Sequence, residues 1–222
     1  MSRPYHLADR AALAQVTLPS VPAGVVVGRD QRRTPTVLRL FQPEPVQAVL
    51  VGRWWAARML VFRALGVGAR VVVRTAWPEQ WQGLGEEATN RTDRLAIIPV
   101  GSVAAVPARM DEPALHVVDL GTEAGPQRAH LGPWQAQLTV LPGLVPAGLP
   151  VLAGAQVSVF QRVSAPEAGL AADALGLSAE VAGHLTLTPD DGLILYGDGT
   201  VRYATVGPTD IERQLLGPPQ AG

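Results

Sequence analysis

The sequence predicts an α/β fold, a mostly parallel sheet with helices on both faces, and three observations carry that reading. The apolar runs Val46–Val51 (VQAVLV) and Ala69–Arg74 (ARVVVR) suit strands buried on both sides rather than strands with one wet face. Between them, after Gly52, lies a helical stretch of about 13 residues, long enough for the right-handed crossover that joins parallel strands. Near the C-terminus, GLILYGDGTVRYATV places two strands around Asp198-Gly199, a dipeptide suited to a tight turn, and so predicts a C-terminal β-hairpin.

The remaining elements follow in order. Ala8–Gln15 reads as a short helix before a proline-bounded loop, which makes residues 1–20 an N-terminal extension. Gly24–Gly28 and Thr36–Leu40 flank the polar turn Arg29–Arg33 as a hairpin. Pro78–Glu87 predicts a helix, with Trp77 and Trp81 four apart on one face, and Leu95–Val100 a strand. Leu115–Leu120 (LHVVDL) is an apolar strand ending in an acid. Pro133–Leu141 reads as a helix, and Val157–Gln161 (VSVFQ) as a strand with a polar end. Ala165–Leu175 has proline near its start, Glu167 in its first turn and Gly176 at its stop, which predicts a helix. Residues 21–216 form a single domain in this reading, and residues 217–222 a flexible tail.

Composition excludes several functions. The 222 residues are 47% hydrophobic, ample for a core, and the formal net charge of −1 gives no general attraction to nucleic acid or anionic membrane. The absence of cysteine removes disulfides, thiolate catalysis and Cys-ligated zinc. All 18 basic residues are arginine, so every lysine mechanism is excluded as well. With the abundance of Ala, Gly, Pro and Val, this bias points to a GC-rich bacterial genome. Residues 129–161 carry no Asp, Glu, Lys or Arg, but Pro133, Pro142, Pro146 and Pro150 divide them and argue against a membrane span. With no apolar run at the N-terminus suited to a signal peptide, the expectation is a cytoplasmic protein.

No other chemistry is signalled. His6, His116, His130 and His184 show no metal-ligand spacing, and His116 and His184 read as packed or hydrogen-bonded structural residues. Ser158 and Ser164 lack the glycines of a nucleophile elbow. Asp190 and Asp191 read as a turn. Gly66–Ala69 (GVGA) ends a helix, where glycine is a stop signal rather than a dinucleotide fingerprint.

The stretch VGRWWAARM is the candidate site. Laid on the phosphate-loop frame Gly-x-x-x-x-Gly-Lys-[Ser/Thr], it offers Gly52 first, Ala57 for the second glycine, Arg58 for lysine and Met59 for the hydroxyl that helps hold magnesium. Trp54 and Trp55 fill the position of the anion nest, Met59 cannot coordinate a hard cation, and Arg58 is no substitute for lysine in a tight loop. An altered loop gripping phosphate through Arg53 or Arg58 stays open as an alternative. Tryptophans are commonly core residues, but Trp54, Trp55, Trp77 and Trp81 beside a vacant cleft are also candidates for anchoring a protein partner.

The order hairpin, strand, phosphate-loop position, helix, strand, then a strand ending in Asp119 and one ending in Gln161, resembles the FtsK/SpoIIIE family of translocase ATPases. It is most similar to the degenerate ATPase modules of type VII (WXG100) secretion motors, through the lead-in VVVGRDQRRTPTVLRLFQPEPVQAVLVG and the closing GDGTVRYATVGPTDIERQL. The resemblance implies a P-loop NTPase-like (RecA-like) core. It places Asp119 at the Walker B aspartate, Gln161 at a polar sensor, and Leu120 where an active member carries the glutamate that polarises water. Asp119 reads equally as a strand-end residue capping the next turn. With lysine, hydroxyl and glutamate missing, the resemblance implies a module without hydrolysis, cofactor or metal. Such a module recognises proteins, a secretion motor ATPase or WXG100-type substrates, as an adaptor or assembly component; the alternative is a nucleotide-binding regulator or weak NTPase.

Overall fold

The computed structural model describes residues 24–122 and 130–219. Ten strands among the described residues form one sheet in the order β2-β1-β10-β9-β8-β3-β7-β6-β4-β5. These are β1 (Val25–Arg29), β2 (Pro35–Leu38), β3 (Val46–Val51), β4 (Arg70–Thr75), β5 (Leu95–Ile98), β6 (Ala114–Asp119), β7 (Gln135–Leu141), β8 (Val157–Phe160), β9 (Gly192–Gly197) and β10 (Thr200–Thr205). Strands β3 to β8 pair in parallel, and β9, β10, β1 and β2 extend the sheet antiparallel from β8.

Six α-helices are described: α1 (Trp54–Gly66), α2 (Leu84–Thr89), α3 (Leu149–Ala153), α4 (Ala165–Leu175), α5 (Ala179–Leu187) and α6 (Asp210–Leu216). One face of the sheet buries Leu50, Val71, Val73, Leu115, Val117 and Leu138 against α1, with α2 and α6 beside it. The other buries Val49, Val51, Phe160 and Ile194 against α3, α4 and α5. The two faces thus take alternate residues of the same strands, as the pleat requires.

Local chemistry fixes the boundaries. The β1–β2 turn is closed by Asp30, whose Oδ1 accepts from the Arg32 and Thr34 amides, with Arg33 at φ 63°. Helix α4 carries a reciprocal box, Ser164 Oγ with the Glu167 amide and Glu167 Oε2 with the Ser164 amide, and stops at left-handed Gly176. Helix α6 repeats the device with Thr209 and Glu212.

Two expected helices are not observed. Within the expected helix 133–141, Gln135–Leu141 form β7, the strand between β3 and β6, because QAQLTVL alternates Gln137 and Thr139 with Ala136, Leu138 and Val140 and each set meets a different face. Residues 78–87 do not form one helix. A 3₁₀ turn at Pro78–Gln80 is separated from α2 by Gly83 at φ 78°, so Trp77 and Trp81 share no helix face. The α5 helix, capped by Ser178, had no distinct sequence signal. The expected helix Ala8–Gln15 lies outside the described residues. Gly217, assigned to the tail, is tied to the core by its carbonyl, which accepts from Trp55 Nε1 at 3.1 Å.

Candidate functional site

The parallel order brings Gly52, Asp119, Leu141 and Gln161, from different strand ends, to one edge of the sheet. Gly52 prolongs β3, donating to the Leu141 carbonyl at 2.9 Å, while the Gln161 amide donates to the Val51 carbonyl at 3.0 Å. Arg53 is the extended residue before α1 (φ −86°, ψ 168°), and its amide donates to Gln161 Oε1 at 2.7 Å. Helix α1 therefore starts directly after β3, with residues 54–57 already forming its first turn. Gly52 is required by space, not by a left-handed turn: a Cβ there would lie 2.7 Å from Gln161 Oε1. Gln161 and Gly52, read separately in the sequence, are one contact.

Asp119 ends β6 on the α1 face and is 1% exposed. Its Oδ2 accepts from Thr75 Oγ1 at 2.9 Å, Trp81 Nε1 at 2.9 Å and Trp54 Nε1 at 3.2 Å. Thr75 is its register partner on β4 and also accepts from the Trp77 amide, which holds the turn leading to Trp81. Sequence reading missed Thr75, though the strand RVVVRT ends in a polar residue just as LHVVD does. Leu120, the next residue, packs on the opposite side of the sheet against the α3–α5 cluster.

The tryptophans separate into two kinds. Trp81 is fully buried and Trp55 is 6% exposed, which corrects their candidacy as partner contacts: both indoles point into the core and spend their N–H groups there. Trp54 and Trp77 are half-buried and meet edge to face, with ring centroids 5.7 Å apart. Gly121, at φ 81°, lies under the Trp77 ring, where a Cβ would approach to 3.1 Å.

Arg58 and Met59 are not at the strand-end edge. Met59 lies on the buried face of α1, in the core. Arg58 is half-buried and faces α2, where burial lowers its pKa while Glu87 works to raise it. Arg53 instead lines a cavity of about 440 Å³ with Gly52, Pro142, Gly143, Arg162 and Glu167. Glu167 receives the Leu144 amide at 2.9 Å as well as its own helix cap. Burial would raise its pKa, but the Ser164 hydroxyl, these amides and the charge of Arg53 together hold it below the ordinary range.

No protein-family model matches the sequence, and no curated protein resembles it significantly in sequence. Solved structures do match in fold. VirB4 of Thermoanaerobacter pseudethanolicus superposes with a TM-score of 0.59 at 10% identity, over 86% of this chain and 98% of that one. The cytoplasmic domain of the type VII secretion ATPase EccC from Thermomonospora curvata gives 0.58 at 16% identity, over 99% of this chain and 34% of that one. The DNA-packaging ATPase B204 of Sulfolobus turreted icosahedral virus gives 0.50 at 8% identity, over 73% and 98%. The fold is the P-loop NTPase fold that these ATPases share. This chain spans about a third of the EccC region. Among the described residues, no helix is long and apolar enough to cross a membrane, and no group of His, Asp and Glu could hold a metal ion.

Proposed function

We propose that this is a P-loop-fold module without nucleotide hydrolysis, acting as a cytoplasmic adaptor or assembly component of a type VII-like secretion system. The observation that carries it is the Asp119 carboxylate. Its Oδ2 is occupied by Thr75, Trp81 and Trp54, beside a helix that begins with no loop to wrap a phosphate. A Walker B carboxylate must face magnesium and its water; this one faces two indoles and a hydroxyl. The absence of lysine from the chain and Leu120 in place of a glutamate support the same reading. The likeness to part of EccC supports the choice of system, and the Trp54–Trp77 pair is the aromatic surface we assign to a protein partner, a motor ATPase or a WXG100-type substrate.

Phosphate release from MgATP by purified protein tests it. The expected rate is background, and magnesium-dependent turnover abolished by Asp119→Ala would overturn the proposal. A second reading, a nucleotide-binding regulator, is favoured by the cavity that Arg53 and Arg162 line. Calorimetric titration with ATP and ADP separates the two, since no heat at millimolar nucleotide removes the second.

A further inference from the structure

The sheet face opposite α1 changes character across its width. Over β3, β8 and β9 it is apolar and covered by helices. Over β4, β6 and β7 it presents Arg74, His116, Gln137 and Thr139 among Val72 and Val118, and the segment around Ser102–Ala104 lies over it. Register places His116 opposite both Val72 and Gln137, with Arg74 diagonal to it on the same face. Together with Ser102 and His130 they line a cavity of about 120 Å³.

Two nitrogens that line this cavity lack hydrogen-bond partners. Arg74 Nε and His116 Nε2 are both buried with no hydrogen-bond partner. Among the described residues no carboxylate lines the cavity and Arg74 makes no ion pair, whereas Arg63, Arg70, Arg94 and Arg162 each meet a carboxylate. Each buried, unmet donor costs about 1–3 kcal/mol, more when charged. At about 30 Å³ per liquid water, the space holds about four waters, or one tetrahedral or planar oxyanion. A guanidinium beside an imidazole with no competing acid matches an acceptor-only group.

We infer that the cavity between β4, β6 and β7 binds a single oxyanionic group, a phosphate or a carboxylate, held by Arg74 and His116. Gln137 and Ser102 border the site, and among the described residues His130 and Arg74 are the charged or titratable groups that line it with His116. Burial, and then the charge of Arg74, lower the His116 pKa, so without a bound anion the imidazole is neutral near pH 7. A bound anion favours the imidazolium, so binding takes up a proton and tightens as pH falls below the ordinary imidazole value of about 6.5.

The test is calorimetric titration of the whole chain with inorganic phosphate and, separately, with acetate, on either side of that pH. The expected result is saturable binding, tighter at the lower pH, weakened about tenfold or more by Arg74→Gln and by His116→Gln. Response to phosphate alone identifies a free or esterified phosphate as the ligand; response to acetate identifies a carboxylate such as a partner's side chain. Saturable heat from neither anion at tens of millimolar, or binding unchanged in both variants, overturns the inference. Should the variants fail to fold, the ¹⁵N resonances of the His116 ring in the unaltered protein decide: they must move on phosphate or acetate addition, and their constancy overturns it equally.

Discussion

Asp119 and His116 stand three residues apart on β6, on opposite faces of one sheet. On the α1 face the carboxylate oxygen Oδ2 collects Thr75, Trp81 and Trp54, and the cluster is sealed by aromatic rings. On the other face His116 and Arg74 hold buried nitrogens that nothing meets. The difference teaches where this fold has spent its polar residues. On the face that carries the nucleotide site in the resemblance, Asp119 Oδ2 is tied into packing while its Oδ1 stays unmet; on the far side the unmet atoms Arg74 Nε and His116 Nε2 line a cavity.

The largest expected effect is at the three-donor cluster on Asp119 Oδ2. Asp119→Ala strands the buried Trp81 and Thr75 donors and the half-buried Trp54 donor, so it should cost about 3–5 kcal/mol in urea unfolding, at about 1–3 kcal/mol per orphaned group. A loss under about 1 kcal/mol would erase the contrast with His116.

Arg63 is the paired counterpart of Arg74. It forms a two-pronged contact with Glu212, Nε to Oε1 at 2.5 Å and Nη2 to Oε2 at 2.9 Å, and Glu212 is 2% exposed. Glu212→Ala should cost about 3 kcal/mol, because it leaves the guanidinium buried beside α6 without its partner. Burial alone would raise the Glu212 pKa, but Arg63 and the Thr209 cap together hold it below the ordinary carboxylate value of 4.5. A depressed folded-state pKa adds stability that is present above the unfolded value and is lost as pH falls through the folded one. Stability should therefore decline from about pH 4.5 downward. Unfolding curves of Glu212→Gln, compared with the unaltered chain across that range, should show a shallower decline.

The resemblance and the alternation of strand and helix were legible because local signals agree with the fold: VQAVLV, the α1 stretch and ARVVVR form the β3–α1–β4 crossover, and Ser164, Glu167 and Gly176 bound α4. Strand β7 was hidden by Pro133 and by its two glutamines, which mark strand faces only once its neighbours are known. The role of Asp119 was ambiguous for the same reason, since its donors lie 38 to 65 residues away in sequence and only the β4–β6 register aligns Thr75 with it. His116 reads in the sequence as packed or hydrogen-bonded, and the structure leaves its Nε2 unmet.

A smaller effect is expected at the helix entry. Gly52→Ala would drive a Cβ to within 2.7 Å of Gln161 Oε1 and disturb the bond from the Arg53 amide. The expected loss is about 1–2 kcal/mol. Because Gln161 ends in a flexible amide, Gly52→Ala combined with Gln161→Ala should be less destabilised than the sum of the two single changes. Strict additivity in a double-mutant cycle would show that the glycine answers to something other than this contact.

The smallest expected change is Arg74→Met, and it bears directly on the contrast between the faces. Removing one member of a satisfied buried pair is costly, but Arg74 has no such partner to strand among the described residues, and methionine keeps the length of its stem against Val72 and Ile98. In buffer free of phosphate and carboxylate the variant should therefore unfold within about 1 kcal/mol of the original, or be more stable, since a desolvated guanidinium has been exchanged for an apolar chain. A loss of about 3 kcal/mol or more would mean that Arg74 already has a strong partner in the folded chain. The contrast between the Asp119 Oδ2 cluster and the Arg74 side of β6 would then be lost.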